Sequence, residues 1–160
     1  MRQASPKDVP LLVTLMTEFY AETSTPLDPV RAADAFAALL ADDRLGNVWL
    51  IQAGTQDVGY VAVTFCHSME FGGKNGFVDD LFIQAPFRGA GLGTTALAEV
   101  RMFCLKHGVR ALHLETGRDN SVAQALYRRA GFASTDRQLL TLNLADSALE
   151  QSELRVERDH

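Results

Sequence analysis

A run of glycines, "RGAGLG" from Arg88 to Gly93, stands between an apolar stretch and an alanine-rich segment with helical spacing. Glycine lets the backbone approach a ligand closely, and consecutive N–H groups at the start of a helix attract anions. Arg88 adds a positive charge beside the glycines. The composition of this turn therefore predicts a site for a pyrophosphate or a similar anion.

Two other phosphate-binding motifs fit the turn less well. Gly91, Gly93 and Ala96 match the dinucleotide fingerprint, and Glu115 follows about twenty residues later. That fingerprint leaves its strand directly, whereas "QAPFR" intervenes here, and too little chain follows Glu115 for the rest of a doubly wound sheet. A nucleoside triphosphate loop requires Lys-Ser or Lys-Thr after the glycines, and neither pair is present.

The elements that must position this turn alternate between helical and strand periodicity. Two helices come first, over 5–22 and 30–43, and a hairpin of strands follows over 47–54 and 58–67, with a glycine-rich loop over 68–76. The remaining pattern predicts strands over 77–83 and 109–116, helices over 91–108 and 120–132, and strand-like segments over 132–136 and 138–144. This order indicates an α/β (α+β) domain whose mixed sheet contains one parallel crossover.

Composition favours one globular domain over residues 1–160, with a charged tail over 145–160. The net charge of −5 and the pI near 5.3 argue against a general attraction to nucleic acid or to anionic membranes. No apolar run has membrane-spanning length, so we expect a cytoplasmic protein. Cys66 and Cys104 lack partners at ligand spacing, and we expect two buried thiols and no metal site.

Two motifs together resemble the GCN5-related N-acetyltransferase (GNAT) superfamily. The first is "DDLFIQAPFRGAGLG", whose Arg-x-x-Gly-x-Gly turn resembles the coenzyme A turn of that superfamily; the second is "LHLETGRDNSVAQALYRRAGF". The resemblance covers about residues 9–144. It implies a single-domain fold with a mixed central sheet, about four flanking helices and a splayed pair of parallel strands. It also implies acetyl-CoA as the cosubstrate, without a metal.

The resemblance further implies which residues bind the cosubstrate. They form the end of a strand, the glycine turn and parts of two helices: Leu81, Phe82, Ile83, Arg88, Gly89, Ala90, Gly91, Leu92, Gly93, Thr94, Asn120 and Tyr127. Leu81 to Ile83 would act through their backbone groups at the splayed strands. Tyr127 matches the tyrosine that protonates the departing thiolate, and Asn120 also fits a helix cap.

The base that assists the amine has two candidates. "VDDLFI" resembles the "Leu-Glu-Asp-Leu-Phe-Val" wording of polyamine and diamine acetyltransferases, and adjacent strand residues face opposite ways, so at most one of Asp79 and Asp80 faces the substrate. Asp79 is favoured, acting through a water molecule. Glu115 on the neighbouring strand is the rival, and either carboxylate could instead bind a cationic substrate.

The acceptor is expected to be a small primary amine, bound near the first two helices and the loop that follows the hairpin. Aromatic and acidic residues in these regions could contact it: Phe19, Tyr20, Glu22, Glu70 and Phe71. Two alternatives stay open, namely acetylation of a protein N-terminus or lysine, and an acetyl-CoA-binding sensor without turnover. The apolar segment "QLLTLNL" predicts a homodimer, because a sheet edge of this kind needs cover.

Overall fold

The computed structural model describes residues 1–144 as a five-stranded mixed sheet with helices on both faces. The strands are β1 (Arg2–Gln3), β2 (Gly46–Ala53), β3 (Gln56–Ser68), β4 (Gly73–Ile83) and β5 (Ala111–Leu114). The helices are α1 (Val9–Glu22), α2 (Pro29–Ala41), α3 (Leu92–Lys106) and α4 (Ser121–Arg129). The strands lie in chain order across the sheet, and all neighbours are antiparallel except β4 and β5. The predicted α/β class with a mixed sheet is confirmed.

The core has two layers because side chains alternate along the strands. One layer packs α1 and α2 against the sheet, with Leu12, Phe36 and Tyr60 among its buried members. The other layer packs α3 against the opposite face, with Val61 and Val100 among its buried members. The sheet is therefore covered on both sides along β2, β3 and β4.

The parallel pair β4 and β5 stays together over a short stretch only. Pairing runs from Asn75 opposite Ala111 to Val78 opposite Leu114, whereas β4 continues to Ile83 alongside β3. Beyond Val78 the two strands separate, and the edge of β4 that faced β5 has no strand partner among the described residues. This fork is the splayed pair of parallel strands that the motifs implied.

A bulge in β4 sits where the fork opens. Val63 of β3 pairs with Val78, and Ala62 pairs with Asp80. Asp79 is therefore an extra residue of β4 that has no paired residue on β3. A β-bulge breaks the strict alternation of side chains and turns the strand locally. The prediction that at most one of Asp79 and Asp80 faces the substrate assumed a regular strand, and the bulge interrupts that regularity at Asp79.

Three other expectations need correction. The loop predicted over 68–76 is shorter, since β3 extends to Ser68 and β4 begins at Gly73. Residues 132–144 form no strand, although two strand-like segments were predicted there. Cys104 is buried, but Cys66 is exposed because it lies near the end of β3, beyond the packed layers. The tail predicted over 145–160 lies outside the described residues.

Within residues 1–144, no helix has the length and apolar character needed to cross a membrane.

Candidate active site

The glycine turn between β4 and α3 has the backbone shape that an anion site requires. Gly89 and Gly91 adopt φ angles of 80° and 81°, in the left-handed region that favours glycine, and no atom lies within 4 Å of where a Cβ would stand at either. Helix α3 starts at Leu92, and its N-cap, Gly91, has no side chain to satisfy the first N–H groups. The turn thus leaves backbone donors beside open space, together with Ala90, which is exposed.

Gly93 has a different role, since it lies in a crowded position. A Cβ at Gly93 would stand 3.1 Å from Leu126 Cδ2 of α4 and 3.7 Å from Ile83 Cδ1 of β4. The absent side chain lets the first turn of α3 pack closely against α4 and the end of β4. Three of the elements that carry predicted site residues are therefore brought together at this glycine.

The side chain of Arg88 fixes the turn to the rest of the fold. Its Nε donates to the carbonyl oxygen of Ile83 at 2.7 Å, and its Nη2 forms an ion pair with Glu22 of α1 at 2.7 Å. Gln84 makes a similar connection, because its Nε2 donates to Glu18 at 3.0 Å. The guanidinium of Arg88 is engaged by α1 and β4, so the turn presents to an anion mainly its backbone, from Gly89 to Thr94.

Leu81, Phe82 and Ile83 lie along the open edge of β4, past the last pair with β5. Their side chains serve the core: Leu81 packs into the layer with α3, and Phe82 is buried in the layer with α1 and α2. These residues can therefore bind a ligand in the fork through their backbone N–H and C=O groups, whatever their side chains are.

Helix α4 carries the other two predicted cosubstrate residues. The Oδ1 of Asn120 accepts a hydrogen bond from the Ala123 N–H at 3.1 Å, so Asn120 caps the helix. Tyr127 is half-buried, and its ring meets that of Phe132 edge-on at 6.1 Å between centroids. Burial raises the pKa of the Tyr127 phenol, which stays protonated at neutral pH.

The three acidic residues near the fork differ in exposure. Asp79 is exposed, and Glu115 is exposed immediately after the end of β5. Asp80 is largely shielded, and its Oδ2 accepts a hydrogen bond from the phenol of Tyr60 at 2.7 Å. The partial burial of Asp79 raises its pKa, and the more complete burial of Asp80 raises the pKa of that residue to about 6.

The association of Asp80 with tyrosines was missed at the level of the sequence. Tyr60 on β3 lies opposite Phe82 on β4. Burial raises the pKa of the Tyr20 phenol on α1, and the nearby charge of Asp80 raises it further. A partial signal was present, because Tyr60 is a polar-tipped residue in an otherwise apolar strand and a buried phenol needs an acceptor. The register that gives it Asp80 depends on the bulge, which no sequence pattern revealed.

The residues expected to contact the acceptor form two groups. On α1, Phe19 stacks on Phe82 with 5.4 Å between ring centroids, and Tyr20 meets Phe19 edge-on. After β3, Glu70 forms an ion pair with Arg137, and Phe71 lies against His113, the residue of β5 just before Leu114. The α1 aromatic residues therefore contact β4 past the last pair with β5, whereas Phe71 contacts β5 within the paired stretch.

Among residues 1–144, no group of three or more histidine, cysteine, aspartate or glutamate side chains is arranged to hold a metal ion.

Comparison with known proteins shows which protein family this chain belongs to. The family model described as "Acetyltransferase (GNAT) family" matches residues 12–132, which include the fork, the glycine turn and α4. The chain belongs to the GNAT family of acetyltransferases. The resemblance stated from the sequence is confirmed, and the protein is an acetyl-CoA-dependent N-acetyltransferase.

Individual relatives support the same conclusion. An aminoglycoside N(6')-acetyltransferase type 1 from Stenotrophomonas maltophilia is 27% identical over 141 residues, which cover 86% of this chain and 88% of that protein. Among solved structures, the integron cassette protein HFX_CASS3 from the mobile metagenome of Cole Harbour Salt Marsh has 47% identity and a TM-score of 0.81, covering 89% of each chain.

A third comparison concerns the cosubstrate and the fold. A predicted acetyltransferase from Clostridium acetobutylicum, whose crystal structure was solved with acetyl-CoA, is 21% identical with a TM-score of 0.76. The alignment covers 91% of this chain and 96% of that one. At this identity the likeness shows a shared fold.

Proposed function

We propose that this GNAT acetyltransferase transfers the acetyl group of acetyl-CoA to a primary amine of a small molecule, by direct attack and with Tyr127 as the general acid. The observation that carries the proposal is the fork, with its open β4 edge beside a glycine turn of unencumbered backbone. The aminoglycoside acetyltransferase among the relatives supports a small acceptor. The acetyl thioester supplies an electrophilic carbonyl and a sulfur leaving group.

The residues that would hold the cosubstrate fit its chemistry. A pyrophosphate suits the first N–H groups of α3 and the left-handed turn at Gly89 and Gly91, because both present donors to an anion. The open backbone edge from Leu81 to Ile83 suits the amide-containing arm of the cosubstrate, since unpaired strand groups need hydrogen-bond partners. Asn120 at the start of α4 and the turn residues at the start of α3 are proposed to lie beside the bound cosubstrate.

Tyr127 can act as proton donor because its half-buried phenol carries its proton at neutral pH, and the raised pKa leaves that protonation state unchanged. A protonated phenol near the departing sulfur can donate its proton as the C–S bond breaks. Leu126, the residue before Tyr127, lies beside Gly93 at the start of α3, and this proximity supports a position of Tyr127 near the cosubstrate.

Asp79 and Glu115 are proposed to bind the acceptor as a cation. Both are exposed at the mouth of the fork, and exposed carboxylates attract and orient an ammonium group. Of the two uses open to them, proton transfer and binding, exposure favours binding. Asp79→Asn is therefore expected to raise KM for the amine several-fold more than it lowers kcat.

We further propose that the protein is a homodimer that acts in the cytoplasm, a compartment that contains acetyl-CoA. The segment from Arg137 to Leu144 bears leucines on alternate and adjacent positions, and Leu139, Leu140, Leu142 and Leu144 are between 66% and 87% exposed. A cavity of about 390 Å³ lies between α3, β5 and residues 130–133, with Leu97, Leu112 and Phe132 in its lining. The leucines of a second copy are suited to pack against these apolar residues, beside Arg101 and Arg110 of the same lining.

The experiment that tests the function is an amine panel. Purified protein is mixed with acetyl-CoA and with aminoglycosides, polyamines, small primary amines and lysine-containing peptides, and release of the free thiol is followed. We expect release that depends on a small amine, with the acetylated product seen by mass spectrometry. Activity confined to peptides would contradict the small-molecule assignment, and binding of acetyl-CoA without any acetylation would support the sensor.

A further inference from the structure

A shielded carboxylate stands at the point where β4 leaves β5. Asp80 is the second residue past Val78, the last residue of β4 that pairs with β5. The bulge at Asp79 places Asp80 opposite Ala62 of β3, and the Oη of Tyr60 donates to its Oδ2 at 2.7 Å. Tyr60 is fully buried, so the packing of the core fixes the position of this hydrogen-bond donor.

Aromatic rings enclose this carboxylate on the α1 and α2 side of the sheet. Phe82, two residues along β4, stacks with Phe19 of α1, and the ring of Tyr60 meets that of Phe36 of α2 edge-on at 5.8 Å. These rings exclude water from one side of Asp80, which explains why burial is the main cause of its raised pKa.

The charged and titratable groups that face Asp80 come from three elements. Tyr60 on β3 and Tyr20 on α1 stabilise the ionised form and lower its pKa, while the negative charge of Asp79 on β4 raises it. Arg88 lies over the ring of Phe82 but is paired with Glu22, and it does not contribute to the shift. From α2, no titratable side chain among the described residues acts on this carboxylate.

We propose that Asp80 is the proton acceptor of the acetyl transfer and that Tyr60 and Tyr20 are positioning residues that fix its orientation and its proton affinity. This inference rests on the proposed function, which supplies the amine. It replaces Asp79 with its neighbour in the role of base, because Asp80 has a fixed orientation and a donor partner, whereas Asp79 is exposed.

The proton balance of the step is complete. The ammonium group of the bound acceptor first loses one proton to solvent water. The neutral amine nitrogen then forms the C–N bond with the acetyl carbon, and a second proton passes from this nitrogen to the carboxylate of Asp80. The C–S bond breaks, and the sulfur takes a proton from the phenol of Tyr127. Solvent carries the proton from Asp80 back to the Tyr127 phenolate, which restores both groups. A carboxylate with a proton affinity close to neutral is suited to this task because it is ionised at pH 7 and still basic.

The experiment compares pH profiles of kcat/KM for the parent with those of three variants and a control. Asp80→Asn should lower kcat at least tenfold. It should also remove the acidic limb, which is the fall of kcat/KM at low pH that protonation of Asp80 causes. Tyr60→Phe should move that limb to higher pH, because the carboxylate loses the donor that stabilises its charge, and should keep most activity above the new limb. Asp79→Asn should move the limb to lower pH, because it removes the negative charge that raises the pKa of Asp80, and should lower kcat far less than Asp80→Asn does. Asp34→Asn on the exposed side of α2 is the matched control that should change neither kcat nor the limb. Full activity of Asp80→Asn, or an unmoved limb in Tyr60→Phe, would overturn the inference.

A second measurement separates failure of this inference from failure of the proposed function. Carbon-13 NMR of the aspartate carboxyl groups, assigned with Asp80→Asn, follows the titration of Asp80 without any substrate. We expect a midpoint near pH 6 in the parent and a higher one in Tyr60→Phe. A midpoint near pH 4 would overturn the inference even if amines are acetylated. A parent that acetylates no amine overturns the proposed function and, with it, the reaction assigned to Asp80.

Discussion

Two ionisable residues at the fork are held in protonation states that suit opposite roles. Burial raises the pKa of Tyr127, and its phenol keeps a proton to give, whereas Asp80 has a raised pKa that still leaves it ionised at pH 7. The same physical cause acts on both residues. A phenol already holds its proton at neutral pH, and burial leaves it protonated. For the carboxylic acid of Asp80, burial brings the pKa close to the working pH.

Tyr127→Phe tests the proton donor at the scale of one atom. The substitution removes the phenolic oxygen and preserves the edge-on contact with Phe132, so the helix should fold unchanged. General acid catalysis contributes roughly 10²–10⁴-fold, and we expect kcat to fall on the order of a hundredfold with little change in acetyl-CoA affinity. Steady-state kinetics and calorimetry measure the two quantities. A variant with the parental kcat would remove Tyr127 from the mechanism.

Asp80→Asn should stabilise the fold while it impairs the reaction. The folded-state pKa of Asp80 is about 6, above its ordinary value near 4, so the folded protein binds this proton more tightly than the unfolded chain. The free energy of unfolding therefore falls as pH rises from about 4 to about 6. Asparagine removes that loss, and we expect a gain on the order of 2 kcal/mol at pH 8. Little difference is expected at pH 4. Urea denaturation at both pH values provides the measurement. A large loss of stability of Asp80→Asn at pH 8 would contradict the view that burial destabilises the ionised carboxylate.

At the scale of the element, the site depends on one strand–turn–helix unit. Strand β4 supplies the fork and the bulge, the glycine turn supplies backbone donors, and α3 supplies its N-terminus, while Gly93 lets α4 approach. A substitution in this unit can therefore change cosubstrate binding without disturbing the two core layers.

Gly91→Glu places a side chain and a negative charge at the start of α3, where the pyrophosphate is proposed to bind. We expect acetyl-CoA binding to be lost, because the charge competes for the same N–H groups. Gly108→Glu is the matched control: Gly108 has a φ of 72° and open surroundings, but it lies beyond the other end of α3. Both variants carry a similar backbone strain, so calorimetry that shows equal loss in both would attribute the effect to strain.

The sequence predicted these elements because local rules specify them. The glycine turn, the Asn120 cap and the helical spacing of α3 and α4 depend on neighbouring residues, and each lies where its pattern placed it. The bulge at Asp79 depends on the register between β3 and β4, which is a long-range property. For that reason the pairing of Tyr60 with Asp80 could not be predicted. The segment 138–144 has strand periodicity but no strand partner among the described residues, and periodicity alone does not supply one.

At the scale of the whole molecule, the exposed leucines of the segment 137–144 predict self-association. Leu140 and Leu142 are 87% and 77% exposed, which is a large apolar surface for a monomer in water. We expect light scattering at micromolar concentration to give twice the chain mass. Leu140→Glu combined with Leu142→Glu should shift the mass toward that of one chain, because each charge would have to be buried unpaired. A parent that scatters as a monomer would contradict the dimer.

The central claim is that acetyl-CoA and a small amine meet at the fork and exchange an acetyl group. Its most direct test uses acetyl-CoA labelled with carbon-13 at the carbonyl, together with the best amine from the panel, followed by NMR. The account predicts a labelled amide carbonyl on the amine nitrogen, formed in an amount equal to that of the free coenzyme A thiol. In Gly91→Glu neither the labelled amide nor the free thiol should form. Labelled acetate with no labelled amide, or a carbonyl signal that stays on the thioester while acetyl-CoA is bound, would contradict it.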